Sequence, residues 1–247
     1  MKYLKFILLA AVLSGRFGVG AVNWKARQSI ATYPSLGLTY NRIKKNANTT
    51  VVTMLREMTT GRVEGRKEAK KLSQRYSDLT FAQIWALRQT FFFVVVRNPY
   101  SRVLSAFLEK FQHDSYHKKF GAFDRSPAGF AAFLEWLGSD GLDKNYHWDL
   151  QTKLLLLPLD KYDRVIRFES LKEDMTSMFA SLGMSAPLHR LDGLYPTDVN
   201  KKTSASSRLH EFYTPRLAGI VARLYATDFE RLGYSPDFPR QDSGEGG

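Results

Sequence analysis

The chain has 247 residues, 44% of them hydrophobic and 13% aromatic, which is enough for one sizeable core. Seventeen Phe, 12 Tyr and 4 Trp need burying, and that excludes disorder or a fibrous repeat as the main state. A formal net charge of +12 points to anionic partners, and the absence of cysteine excludes disulfides, thiolate metal sites and Cys nucleophiles.

At the N-terminus, Lys2 and Lys5 precede the apolar run Phe6 to Leu13, which Ser14, Gly15 and Arg16 end. Eight residues are too few to span a bilayer, which takes roughly 20 as a helix. Residues 1–22 read either as a signal-like segment or as a retained helix resting on a membrane by its apolar side. Arg16 and Phe17, where a cleavage region would be small and neutral, favour retention. The expected location is therefore the cytoplasm or a membrane surface reached through this segment, rather than the exterior. Residues 23–235 read as one domain, and 236–247, rich in proline and glycine, as a disordered tail.

Leu36 to Ile43 reads as a strand and Thr49 to Met58 as a helix after a polar turn. Gly61 to Tyr76 is charged with almost no apolar face, the pattern of a solvated segment. Phe91 to Val96 (FFFVVV) is a strand buried on both faces. Asn98 then offers an N-cap and Pro99 a first helical residue, followed by Val103, Leu104, Phe107, Leu108 and Phe111 at helical spacing. Arg97 thus stands at the carboxyl end of a buried strand. Pro127 to Leu137 is a further apolar helix, and Leu150 to Leu157 a helix or a buried run. Asp163 to Phe168 alternates as a strand, and Leu171 to Leu182 is helical. Thr214 to Leu232 reads as one helix, capped by Thr214 and Pro215 and closed by Gly233. Strands alternating with helices imply an α/β domain with a largely parallel sheet.

Two constellations suit an anion. The turn Lys44-Lys45-Asn46-Ala47-Asn48-Thr49-Thr50 lies between a strand and a helix, where N-terminal amides surround phosphate-like groups. It lacks the glycines of a Gly-x-x-x-x-Gly-Lys-Ser/Thr loop, and its lysines come before the small residues. Arg97 with Ser105, two helical turns further on, can hold one phosphate dianion.

Together these segments resemble the membrane-type carbohydrate sulfotransferases, the family acting on chondroitin and dermatan together with bacterial relatives. The resemblance runs from Lys45-x-Ala-x-Thr-Thr through Arg97-Asn-Pro-Tyr-Ser-Arg, His147-Trp-Asp-Leu-Gln151, Val165 to Leu171 and Asn200-Lys-Lys-Thr203 to Gly233-Tyr234. It implies a P-loop-like (nucleotide-kinase-like) α/β fold, a parallel sheet flanked by helices. It also implies transfer of a sulfuryl group from 3′-phosphoadenosine 5′-phosphosulfate (PAPS) to a carbohydrate hydroxyl, leaving adenosine 3′,5′-bisphosphate. In the family pattern Lys45, Thr49 and Thr50, with Lys44, Asn46, Ala47 and Asn48 around them, match the 5′-phosphosulfate loop. Arg97 and Ser105 match the 3′-phosphate ligands, and the stretch holding Lys201 and Thr203 closes over the nucleotide. Lys44 stands where the family commonly has Pro, and Asn48 where it often has Cys or Ser.

Lys45 is expected at the bridging oxygen of the leaving group. Fixed cations and helix amides are expected to serve without a metal ion. His147 is the first candidate for the base that takes the acceptor proton, with Glu57 the second, and Trp148 could stack on a sugar ring. His113 and His117 lack a third metal ligand. Two rival readings are a basic module for nucleic acid or anionic glycan, and a P-loop-like nucleotide kinase. The dense basic cluster Arg62 to Arg75 has one aromatic neighbour, Tyr76, and no nucleic-acid partner is expected.

Overall fold

A computed structural model describes residues 2–62, 75–192 and 205–239. Lys201, Thr203, most of the charged stretch 61–76 and residues 240–247 lie outside the described residues. In chain order the principal elements are α1 (Lys2–Phe17), β1 (Ile30–Tyr33), β2 (Leu38–Asn41), α2 (Asn48–Thr60), α3 (Phe81–Ala86), β3 (Phe91–Val96) and α4 (Pro99–Lys110). They continue with α5 (Asp114–Phe120), α6 (Pro127–Trp136), β4 (Arg164–Arg167), α7 (Leu171–Ser181), α8 (Pro215–Leu224) and α9 (Ala226–Leu232). Two compact units result, one of residues 1–97 and 153–197, the other of residues 98–152 and 198–247.

The first unit holds a four-stranded sheet in the order β1-β2-β3-β4. β2, β3 and β4 run parallel, as the alternation of strands and helices predicts, and β1 joins antiparallel as an edge. That edge is a departure from the single strand expected over 36–43. Pro34 opens a tight helical turn and Gly37 adopts φ +61°, so the chain reverses there. Ile30–Tyr33 then pairs with the returning Leu38–Asn41. One sheet face buries Tyr33, Leu38, Tyr40, Phe93, Val95 and Ile166 against Val51, Val52, Met54 and Leu55 of α2 and Met175, Met178 and Phe179 of α7. On the other face, Phe17 of α1 meets Phe92 edge-on at 5.1 Å. Helices thus flank the sheet, and Phe92 to Val96 are wholly buried as their sequence requires.

The run Leu150 to Leu157 is neither one helix nor one strand. A single turn, Gln151–Leu154, gives way where the Leu156 N–H donates to Asn41 Oδ1 at 2.7 Å and the Leu157 N–H to Tyr162 OH at 3.2 Å. Side chains outside the run have taken over its backbone.

The second unit is helical and packs an aromatic core in which Phe107, Phe111, Phe130, Phe133 and Trp148 are buried. Asn98 caps α4 through a bond from the Tyr100 N–H at 2.9 Å, with Pro99 at the first position. All ten residues from Pro99 to Leu108 are buried, so the polar ones among them need internal partners. The Arg102 guanidinium donates to Asp149 O at 2.7 Å and Tyr146 O at 3.2 Å. Burial pulls its pKa below the ordinary value, and Asp228 opposes that shift. Asp228, itself fully buried, accepts from the Gln151 N–H at 2.7 Å, the Thr152 N–H at 2.9 Å and the Thr152 hydroxyl at 2.8 Å.

The stretch Thr214 to Leu232 is two helices rather than one. The break falls at Tyr225 (φ −107°, ψ 19°), whose buried hydroxyl donates to Trp148 O. Residues 236–239, expected to belong to a disordered tail, are held: the Tyr100 hydroxyl donates to Pro236 O, and the Phe238 ring packs on Tyr100 and Tyr213.

Asp228→Ala would leave two buried amides and a hydroxyl unpaired. It should lower stability by about 3 kcal/mol or more in urea titrations, with Asp228→Asn, which keeps one acceptor oxygen, less damaging.

Candidate active site

Beyond the carboxyl ends of β2 and β3, two adjacent parallel strands, the chain turns twice. The first turn carries Lys44 to Ala47 into α2. Lys45 (φ +74°) and Ala47 (φ +53°) are left-handed, and they are the residues other than glycine with positive φ among those described. Such conformations cost about 1–2 kcal/mol for a residue with a side chain, and they persist only where surroundings impose them. Here the imposing contacts are visible. The Asn46 side chain, fully buried, donates to Val95 O at 2.8 Å, one residue past the last β2–β3 pair, Asn41 with Val94. The Arg97 guanidinium donates to Lys45 O at 2.9 Å. Its carbon lies 3.9 Å from the centroid of the Phe168 ring, just past β4.

Left-handed residues in a turn point backbone N–H groups into a concavity suited to an anion. Ala47 supplies no side-chain cap to α2, so the positive end of a 13-residue helix starts at this turn. Asn48, Thr49 and Thr50 form its first turn. Asn48 Oδ1 accepts from Arg42 Nε at 3.1 Å, and burial lowers the Arg42 pKa. The geometry therefore joins Arg97 to the turn of Lys45 and Asn46, which the sequence shows only as two separate motifs. Glu57 lies nine residues beyond Asn48, about 13 Å along α2 at 1.5 Å per residue.

Ser105 and His147 belong to the second unit. Ser105 is buried two turns into α4. His147 is half-buried in the segment after α6, and Asn145 Oδ1 holds it twice, accepting from the backbone N–H at 3.0 Å and lying 2.6 Å from Nδ1. A backbone N–H only donates, so the amide atom facing it is the oxygen. The ring nitrogen facing the same oxygen must then carry a proton. The neutral imidazole consequently keeps its basic lone pair on Nε2.

Trp148 corrects an expectation. It is fully buried, donates Nε1–H to Gly141 O at 2.8 Å and packs among Phe120, Phe133 and Trp136, so its ring offers no platform for a sugar. The aromatic ring exposed beside His147 is that of Tyr146, 68% accessible. Both neighbours of His147 are aromatic, and sequence alone gives no signal to choose between them. Among the described residues no group of three or more His, Asp or Glu side chains could hold a metal ion, and His117 Nε2 is bonded to Phe111 O at 2.8 Å.

A family model described as "Sulfotransferase family" matches residues 28–235. Among curated proteins, human carbohydrate sulfotransferase 8 is 28% identical over 168 residues, covering 58% of this chain and 39% of its own. Mouse carbohydrate sulfotransferase 12 is 26% identical over 170 residues, with the same coverages. Human carbohydrate sulfotransferase 9 is 32% identical over 111 residues, covering 36% of this chain and 25% of its own. The chain thus spans about two-fifths of the length of the first two relatives. No solved structure gives a significant match.

Asn46→Ala would leave the Val95 carbonyl buried and release the strained turn. It should cost about 1–3 kcal/mol in thermal or urea unfolding, well above the few tenths typical of a surface site.

Proposed function

The chain belongs to the sulfotransferase family, and on that premise we propose that it transfers a sulfuryl group from PAPS to a hydroxyl of a carbohydrate. The observation that carries this reading is the turn itself, in which strained Lys45 and Ala47 lead into a helix without a side-chain cap and the buried Arg97 holds Lys45 O. A P-loop-like fold accounts for the three parallel strands with a helix leaving the end of β2. Both units serve one transferase domain, 23–235, in this reading, and the family match running through both supports it.

The donor's 5′-phosphosulfate is assigned to Lys44 to Thr50, its 3′-phosphate to Arg97 and Ser105, and further nucleotide contacts to Lys201 and Thr203. The acceptor oxygen attacks sulfur in line with the bond from sulfur to the bridging oxygen. That bond breaks, and its electron pair leaves with the 5′-phosphate as adenosine 3′,5′-bisphosphate. The acceptor proton passes to His147 Nε2, the basic nitrogen that Asn145 selects. Charge spreads over the sulfuryl oxygens and the bridging oxygen as the bond breaks, so Lys45 and the first amides of α2 stabilise the transition state more than the ground state. Tyr146, exposed beside His147, takes the role of a ring platform for the sugar.

Transfer from labelled PAPS to a panel of glycans tests the activity directly. Binding of adenosine 3′,5′-bisphosphate without Mg²⁺, together with no binding of ATP, separates it from a nucleotide kinase and from a basic binding module. Lys45→Ala should reduce turnover by about 10²–10³ in a protein still folded by circular dichroism. His147→Ala should cut turnover by about 10²–10⁴ with nucleotide affinity within a few-fold, while Glu57→Gln stays mild. A dead Glu57→Gln beside an active His147→Ala would transfer the role of base to Glu57. Tyr146→Ala should raise KM for the acceptor and leave nucleotide binding unchanged.

A further inference from the structure

A surface helix normally hides its apolar stripe and shows water a polar one. α1 does otherwise. Leu9, Val12 and Leu13 are buried, and the exposed positions Tyr3, Leu4, Ile7, Ala11 and Gly15 form a second stripe at helical spacing with no charge in it. Lys5 and Arg16 of α1 are turned to internal partners. Lys5 Nζ donates to Ser77 O at 3.0 Å, and the Arg16 guanidinium donates to Leu87 O at 3.0 Å, to Thr90 O, and to Asp163 at 2.9 Å.

The stripe continues onto α3, which packs against α1. Phe81 and Trp85 of α3 are 42% and 54% exposed, although burying either ring would be favourable by a few kcal/mol. Of the seven large hydrophobic side chains exposed among the described residues, five lie on these two helices and a sixth, Val19, just follows α1. Between the helices runs an open groove of about 400 Å³, lined in part by Ala11, Gly15, Arg16, Trp85 and Arg88. Exposed Arg88 lies with its guanidinium carbon 4.2 Å from the centroid of the Trp85 ring.

We propose that the α1–α3 face is a docking surface for an anionic phospholipid interface. Leu4 and Ile7 enter the acyl boundary, Tyr3, Phe81 and Trp85 sit at headgroup depth, and Arg88 meets lipid phosphates. Charge complementarity selects lipid over an apolar protein patch. The face couples its uncharged stripe to an arginine stacked on tryptophan, on a chain of net charge +12. The 16 residues of α1 reach about 24 Å, short of the roughly 30 Å hydrocarbon core, and no described helix is long and apolar enough to cross a membrane. With Leu9, Val12 and Leu13 packed on the protein, α1 lies in the plane of the interface in this proposal.

The test is co-sedimentation of the full chain with vesicles of phosphatidylcholine alone and of phosphatidylcholine with 30% phosphatidylserine. It is run at low and high salt and read alongside quenching of tryptophan fluorescence by brominated acyl chains, with Trp85→Phe run in parallel to isolate the Trp85 signal. Binding should favour the anionic vesicles, weaken with salt and quench Trp85. The double variant Leu4→Glu/Ile7→Glu should bind at least about tenfold more weakly at unchanged circular dichroism, and Arg88→Glu should abolish the preference for phosphatidylserine. No vesicle binding by the unaltered chain, equal binding by the double variant, or indifference to lipid charge overturns the proposal. A dimer that the double variant abolishes, without vesicle binding, would assign the face to a second copy and also overturn it. Affinity for adenosine 3′,5′-bisphosphate, measured on the same samples, reports separately on the sulfotransferase reading.

Discussion

One buried and one half-buried hydrogen bond hold the turn after β2 in a shape its own residues disfavour. Neither Lys45 nor Ala47 gains anything locally from a left-handed backbone, and a relaxed chain would leave it. Asn46 reaching Val95 O and Arg97 reaching Lys45 O fasten the turn to the next strand. Both bonds exist only because β2 and β3 are adjacent and parallel, which places their carboxyl ends side by side. Sheet order, turn shape and the start of α2 are thus one dependent series. A cation serving as a clamp in this way costs about one hydrogen bond's worth of stability if lost.

The second unit solves a different problem. α4 is buried over ten residues that include an arginine, and such a helix is tolerable only if the charge is enclosed by acceptors. Carbonyls of Tyr146 and Asp149 do this, so the requirement of one buried cation fixes the backbone on both sides of His147. Asn145 then sets the tautomer.

α1 shows apolar surface left over after the core is complete. Its inner stripe packs on the first unit and its outer stripe does not, so folding alone does not account for the sequence of this helix. Among the described residues the rest of the surface keeps few large apolar side chains, which makes the excess local there.

From the sequence by itself come the alternation of strands and helices, the buried FFFVVV strand, the Asn98 and Thr214 caps and the resemblance carried by ordered segments from Lys45 to Tyr234. These are local signals, set by side-chain periodicity and by the first turn of a helix. Tertiary structure alone decided the rest, because each remaining point depends on a partner distant in the chain. The β1–β2 reversal needed Gly37 and an edge free to pair. The break at Tyr225 needed the Trp148 carbonyl, and the end of the helical turn at Leu154 needed Asn41 and Tyr162. Trp148 and Tyr146 are both aromatic and both beside His147. Only the burial of one and the exposure of the other, set by an aromatic core drawn from α4 to α6, tells which can meet a ligand.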